Sequence, residues 1–114
     1  MVNRQYFIRW KTRQNQADSQ RQKILWSRHG ITELVNEAWS RGAVETGLQS
    51  CEVIEDYPAA HRPLPDCLVL GWVASGAPFH AVIAVDEPND RLLVVTFYKA
   101  TLEEWQDDWR TRRK

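Results

Sequence analysis

The chain has 114 residues, the size of one domain, with 43% hydrophobic and 26% charged residues, ordinary for a globule built on a single core. No apolar run approaches the roughly 20 residues needed to span a bilayer, which excludes a membrane-spanning helix. The opening MVNRQYFIRW lacks the apolar stretch of a secretory signal, so the expected location is the cytoplasm.

Residues 1–18 form a basic N-terminal segment ahead of a single α+β domain over 19–114. Within it Tyr6, Ile8 and Trp10 alternate with Phe7, Arg9 and Lys11, a period of two that fits an edge strand or extension; a helix is the alternative, because nothing there breaks one. Ser19 and Gln22 have capping-box spacing and predict a helix through Ile24 and Leu25 that stops at Gly30. Thr32 can cap a second helix, with Leu34, Val35, Ala38 and Trp39 on one face and Gly42 at its end. Residues 43–50 have no clear pattern.

Cys51 to Tyr57 reads as the first strand of the main sheet, and the proline-rich loop from Pro58 to Pro65 carries His61 and Arg62. Three apolar runs then follow: DCLVLGW, PFHAVIAVD and RLLVVTFY. Short Gly-, Pro-, Asn- and Asp-rich connections between them predict antiparallel hairpins. Both faces of the last two runs are apolar, so these strands belong in the middle of a sheet covered on each side. Thr101 and Glu104 form another capping box, with Leu102, Trp105 and Trp109 on one face, which predicts a closing helix laid on the sheet. The basic run after it would sit favourably at that helix's C-terminal end.

The net charge is zero, but it is unevenly spread. Residues 1–28 carry seven basic groups against one acid, residues 29–109 four against fourteen, and the last five residues four against none. The basic ends either offer a surface to an anionic partner or balance the acidic middle. Arg4, Arg9, Lys11 and Arg13, interleaved with Tyr6 and Trp10, have the composition of an RNA- or partner-binding segment. Cys51 and Cys67 are not spaced as a CxxC pair and read as packed thiols, although neighbouring strands could bring them together.

No phosphate-cradling Gly-rich loop, metal-spaced Cys/His cluster or nucleophile elbow is present, so no cofactor and no metal are expected. His80 opens an apolar strand and, in a regular hairpin, lies beside Phe97 and Tyr98. A His and a Tyr together can do acid–base work; the alternative is a packing histidine. Asp86 is six residues along the same strand, about 20 Å away, and cannot join them. Glu55 and Asp56 point to opposite faces of a strand and so do not make a carboxylate pair; with Glu52 they mark a charge-protected edge.

Two stretches carry a family resemblance. KILWSRHGITELVNEA, residues 23–38, resembles the helix-turn-helix opening of BrnT-type toxins. VIEDYP, CLVLGW, FHAVIAVD and VTFY, continuing to Trp105, resemble a family of small bacterial domains of unknown function with EDYP, LVLG, HVVVAVD and TVY motifs, itself similar to the RelE/ParE toxin superfamily. The resemblance implies a small, mostly antiparallel sheet of four or five strands, packed by two N-terminal helices and one C-terminal helix. It implies a toxin-like domain that binds RNA or an antitoxin-like protein, with metal-independent endoribonuclease activity at Arg28, His29, Glu55, His80 and Tyr98. Lys99 or Arg28 would face phosphate. Two features depart from the toxins: the last strand ends Thr96-Phe-Tyr-Lys99 where they carry a Ser-x-Arg-type basic residue, and the sheet segment is acidic. The rival readings are a non-enzymatic protein-interaction module and a small-molecule-binding domain with a pocket lined by Trp72, Phe79 and Tyr98.

Overall fold

The structure, a computed structural model, describes residues 3–57 and 63–113. The loop histidine His61 and its neighbour Arg62 lie outside the described residues.

Residues 4–17 settle as a helix rather than an edge strand. Helix α1 (Arg4–Ala17) starts at Asn3, whose side chain accepts from the Tyr6 amide, and buries Phe7, Ile8, Lys11, Thr12 and Asn15. That stripe follows a helical period. The period-two reading failed because Tyr6 and Trp10, one turn apart, both face outward.

The helix expected from Ser19 does not form. Asp18 caps a single 3-10 turn over Ser19–Arg21, and Gln22 then takes a left-handed φ of 52°. Strand β1 (Ile24–Trp26) follows and pairs in parallel with β5 (Arg91–Lys99). Tertiary pairing overrides a local capping signal here: the Leu92 amide donates to the Lys23 carbonyl, and the Ser27 amide to the Val94 carbonyl.

Ser27, not Thr32, caps helix α2 (Arg28–Glu37). Gly30 lies inside this helix instead of ending it. A Cβ there would come within 3.1 Å of the Val94 carbonyl and 3.2 Å of the Trp26 ring, so the glycine lets the helix approach the sheet. The chain turns at Ala38 with φ 57°, and Ser40 caps a short helix α3 (Arg41–Gly47), which covers the stretch without a sequence pattern.

The remaining strands are β2 (Glu52–Tyr57), β3 (Asp66–Trp72) and β4 (Pro78–Asp86). The sheet order is β1-β5-β4-β3-β2, antiparallel except for the β1–β5 pair. The fold is therefore α+β with a mixed five-stranded sheet. β2 is an edge strand, as its charged residues predict, and β4 and β5 are interior.

The helices cover one face only. Phe7, Ile8, Leu34, Val44 and Leu48 pack there against Cys51, Cys67, Val69, Phe79, Ile83, Val94 and Phe97. The Phe79 ring lies so close to Gly71 that a Cβ on that residue would be 2.5 Å from it. Both cysteines are buried free thiols, and burial pushes each up to about 12.

The closing helix is also absent. Residues 101–113 form a turn-rich loop in which Trp105 pairs with Arg112 across an isolated bridge. The Gln106 amide donates to the Thr111 carbonyl, and the Arg113 amide to the Glu104 carbonyl. The side chain of Asp108 accepts from the Arg110 and Thr111 amides and from the Thr111 hydroxyl. A carboxylate satisfying three local donors holds a turn that a helix would have to break. This loop covers part of the sheet face opposite the helices.

Candidate functional site on the helix-free face

Antiparallel pairing of β4 with β5 sets His80 opposite Tyr98, their ring centroids 5.4 Å apart. Strand alternation turns both away from the helices, because Phe79, Ala81 and Phe97 beside them belong to the helix-side core. Trp105 is fully buried on this face, its ring 4.2 Å from that of His80.

His80 Nε2 lies 2.8 Å from the Trp109 carbonyl oxygen. A carbonyl can only accept, so Nε2 carries the proton and Nδ1 keeps its lone pair. Among the described residues Nδ1, which is buried, has no hydrogen-bond partner. Burial pushes the imidazole below its ordinary 6.5, outweighing the hydrogen bond to Trp109. At neutral pH His80 is therefore an uncharged imidazole whose unprotonated nitrogen is buried on the face that the C-terminal segment covers.

Acidic and basic groups surround this ring. Arg112 donates two bonds to Glu55, at 2.7 and 2.9 Å, and its guanidinium lies 4.7 Å over the Trp105 ring. The bonds from Arg112 hold Glu55 below the usual carboxylate range, aided by a short bond from the Tyr57 hydroxyl. Burial and the Glu55 carboxylate raise Tyr57 to about 12, and burial raises Tyr98 as well. Arg110 repeats the pattern one step along the edge strand, with 2.7 and 2.8 Å bonds to Glu52 and its guanidinium over Trp72. The face thus joins a neutral imidazole, two protonated phenols, two ionised carboxylates and two guanidiniums.

Of the residues singled out in the sequence, His80, Tyr98 and Glu55 meet here. Arg28 and His29 do not: both are exposed on α2, with His29 3.9 Å from Glu33. Lys99 is on the helix side, 3.3 Å from Glu37 and over Trp39. In the N-terminal segment Arg4 pairs with Asp56 at 2.8 Å, and Arg9 donates to the Cys51 carbonyl at 2.8 Å. Lys11 is buried, 2.5 Å from Asp90, and Arg13 is exposed.

The pocket expected from Trp72, Phe79 and Tyr98 is not formed, because Phe79 faces the opposite core. An open pocket of about 420 Å³ lies elsewhere, between Trp39, Ala43, Val73, Pro78, Lys99 and Ala100. Among the described residues no helix is long and apolar enough to cross a membrane.

Sequence reasoning missed Tyr57, Trp105 and Arg112 as members of the site. The available signal was electrical: an acidic edge strand and a basic tail of similar spacing, Glu52 and Glu55 against Arg110 and Arg112.

No curated protein and no solved structure matches the chain. A family model, the domain of unknown function DUF4258, matches residues 26–99, more than half of the chain. The matched stretch supplies Glu55, Tyr57, His80 and Tyr98, while Trp105, Trp109, Arg110 and Arg112 come from beyond its end. The chain belongs to the DUF4258 family of domains of unknown function.

Proposed function

We propose that this domain is a toxin-like RNA-binding domain, of the kind its resemblance to RelE- and BrnT-type proteins implies, with metal-independent cleavage as its chemistry. The observation that carries the proposal is the grouping of His80, Tyr98, Glu55 and Arg112 on one sheet face, with an unpartnered imidazole nitrogen at its centre. Perturbed titratable groups gathered in this way are what acid–base catalysis requires.

In this reading His80 Nδ1 takes the proton of a ribose 2′-hydroxyl. The 2′-oxygen bonds to phosphorus, the bond from phosphorus to the 5′-oxygen breaks, and the Tyr98 hydroxyl protonates the leaving oxygen. The products are a 2′,3′-cyclic phosphate and a 5′-hydroxyl. Arg112 offsets the charge on the phosphoryl oxygens, and Glu55 holds Arg112 in place. Trp105 and the Trp109 turn close over His80, so in this reading the turn at Trp109 opens for RNA while Arg112 stays paired with Glu55.

The test is incubation with unstructured RNA in the presence of a chelator, followed by end-group analysis. Cyclic phosphate ends are expected, and His80→Ala should slow their formation by roughly 100-fold or more. Intact RNA at low salt, or cleavage that survives His80→Ala, overturns the catalytic role. A second reading, a protein-interaction module, is favoured by one observation: a peptide segment already lies on this face.

A further inference from the structure

We infer that the helix-free face is a docking groove for a partner peptide bearing an aromatic residue and an Arg-x-Arg pair, and that residues 101–113 occupy it as the chain's own stand-in. The groove's chemistry stands whether or not the face cuts RNA.

The fit is specific. An indole fills the place over His80, two arginines separated by one residue grip Glu52 and Glu55, and a backbone carbonyl takes the His80 proton. Bidentate guanidinium–carboxylate pairs select arginine over lysine, and the two carboxylates set the spacing of the pair.

The occupant is also built to leave. The backbone-to-backbone hydrogen bonds described for residues 101–113 run within the segment itself, and its one described backbone bond to the sheet is the Trp109 carbonyl on His80, so it can move as a unit. Apart from buried Trp105 and half-buried Trp109, its described residues are exposed. Both arginines are about half exposed, at 42% for Arg110 and 54% for Arg112, and solvent weakens such pairs. Trp109 sits at φ 61°, a left-handed conformation unfavourable for a bulky residue and relieved on release. Departure would leave Glu52, Glu55, Tyr57, Trp72, His80 and Tyr98 facing solvent. That surface is acidic and aromatic, complementary to a cationic, aromatic peptide and of the same charge as a polyanion, which it would repel.

A tethered occupant competes at an effective concentration in the millimolar range. A free peptide therefore binds well only where the chain's own arginines have been weakened. The probe is a fluorescent peptide of residues 101–113, with a scrambled control, titrated against the full-length protein. Arg110→Ala/Arg112→Ala should bind it at least roughly tenfold more tightly than the wild type. Adding Glu52→Gln/Glu55→Gln should abolish that gain, as should alanine at the peptide's Trp105 position. A second measurement, on the wild type, needs no variant to fold: excess unlabelled peptide should speed hydrogen exchange across residues 101–113 alone.

Absence of peptide binding by a variant with wild-type circular dichroism overturns the inference. Equal binding of the scrambled peptide does so too. Dimers that exchange C-terminal segments in place of peptide uptake, or displacement of the peptide by an RNA oligonucleotide, overturn the choice of a partner peptide.

Discussion

His80 carries two constraints that pull in different directions. Its protonated Nε2 is satisfied by the Trp109 carbonyl, while Nδ1 has no partner among the described residues. A second proton on the ring would have to enter at Nδ1, where it would be buried without an acceptor. This explains why burial outweighs the hydrogen bond and the ring sits below its ordinary 6.5. The unfolded chain then binds this proton more readily than the folded one, so folding stability falls as pH drops. The contribution of His80 should be complete above about 6.5, the unfolded value, and lost progressively as pH falls toward the lowered folded value. Thermal unfolding measured from pH 8 to pH 5 should show this loss, and His80→Gln, which cannot titrate, should flatten it. A wild-type midpoint that rises on acidification across this window would mean that the ring gains a partner when charged.

Among the elements, the junction of β1 with α2 does most to join sheet and helices, and Ser27 is its centre. Its hydroxyl donates to the Val95 carbonyl at 2.6 Å and accepts from the Gly30 amide at 2.9 Å. Val95 sits where the β4–β5 register slips, so this hydroxyl satisfies a carbonyl freed by the bulge. Ser27→Ala removes a helix cap and an acceptor's partner together and should cost about 1–2 kcal/mol in denaturant unfolding. A cost indistinguishable from zero would show that water replaces both bonds. The junction also shows where the sequence stops being legible. β3, β4 and β5 could be read because each is a long apolar run bounded by turn residues. β1 has three residues and no flanking signal of its own; only the exposed edge of β5 makes Ile24–Trp26 a strand. Gly30 looked like a helix stop, yet its role is set by a carbonyl on a distant strand. In the C-terminal segment the capping pattern of Thr101 and Glu104 lost to the Asp108 turn and to Trp105 seeking the sheet. The candidate site followed the same rule. His80 and Tyr98 were legible as neighbours through hairpin pairing, whereas Arg112 reached Glu55 across 57 residues of chain.

Across the whole molecule, the uneven charge of the sequence becomes a set of closures. Arg4 meets Asp56, Lys11 and Lys23 share Asp90, and the tail arginines meet Glu52 and Glu55. Both basic ends are thus folded back onto the acidic middle, and a zero net charge hides contacts that fasten the N-terminal helix and the C-terminal segment. These contacts are largely solvent-accessible, so salt should loosen the ends before it touches the apolar core. The Nε2 proton of His80, protected by the Trp109 carbonyl, reports on the C-terminal closure alone and should appear as a slowly exchanging imidazole signal in NMR spectra. Arg112→Glu places a carboxylate against Glu55 and should speed its exchange markedly, with sheet amides little changed. Glu55→Arg alone should do the same by facing Arg112. The double variant restores an opposite pair with its polarity reversed and should recover much of the protection, and high salt should erode that recovery as it erodes the wild-type closure. If the double variant exchanges as fast as either single one, attraction between these two positions is not what keeps the segment shut, and Trp105 on His80 holds it instead.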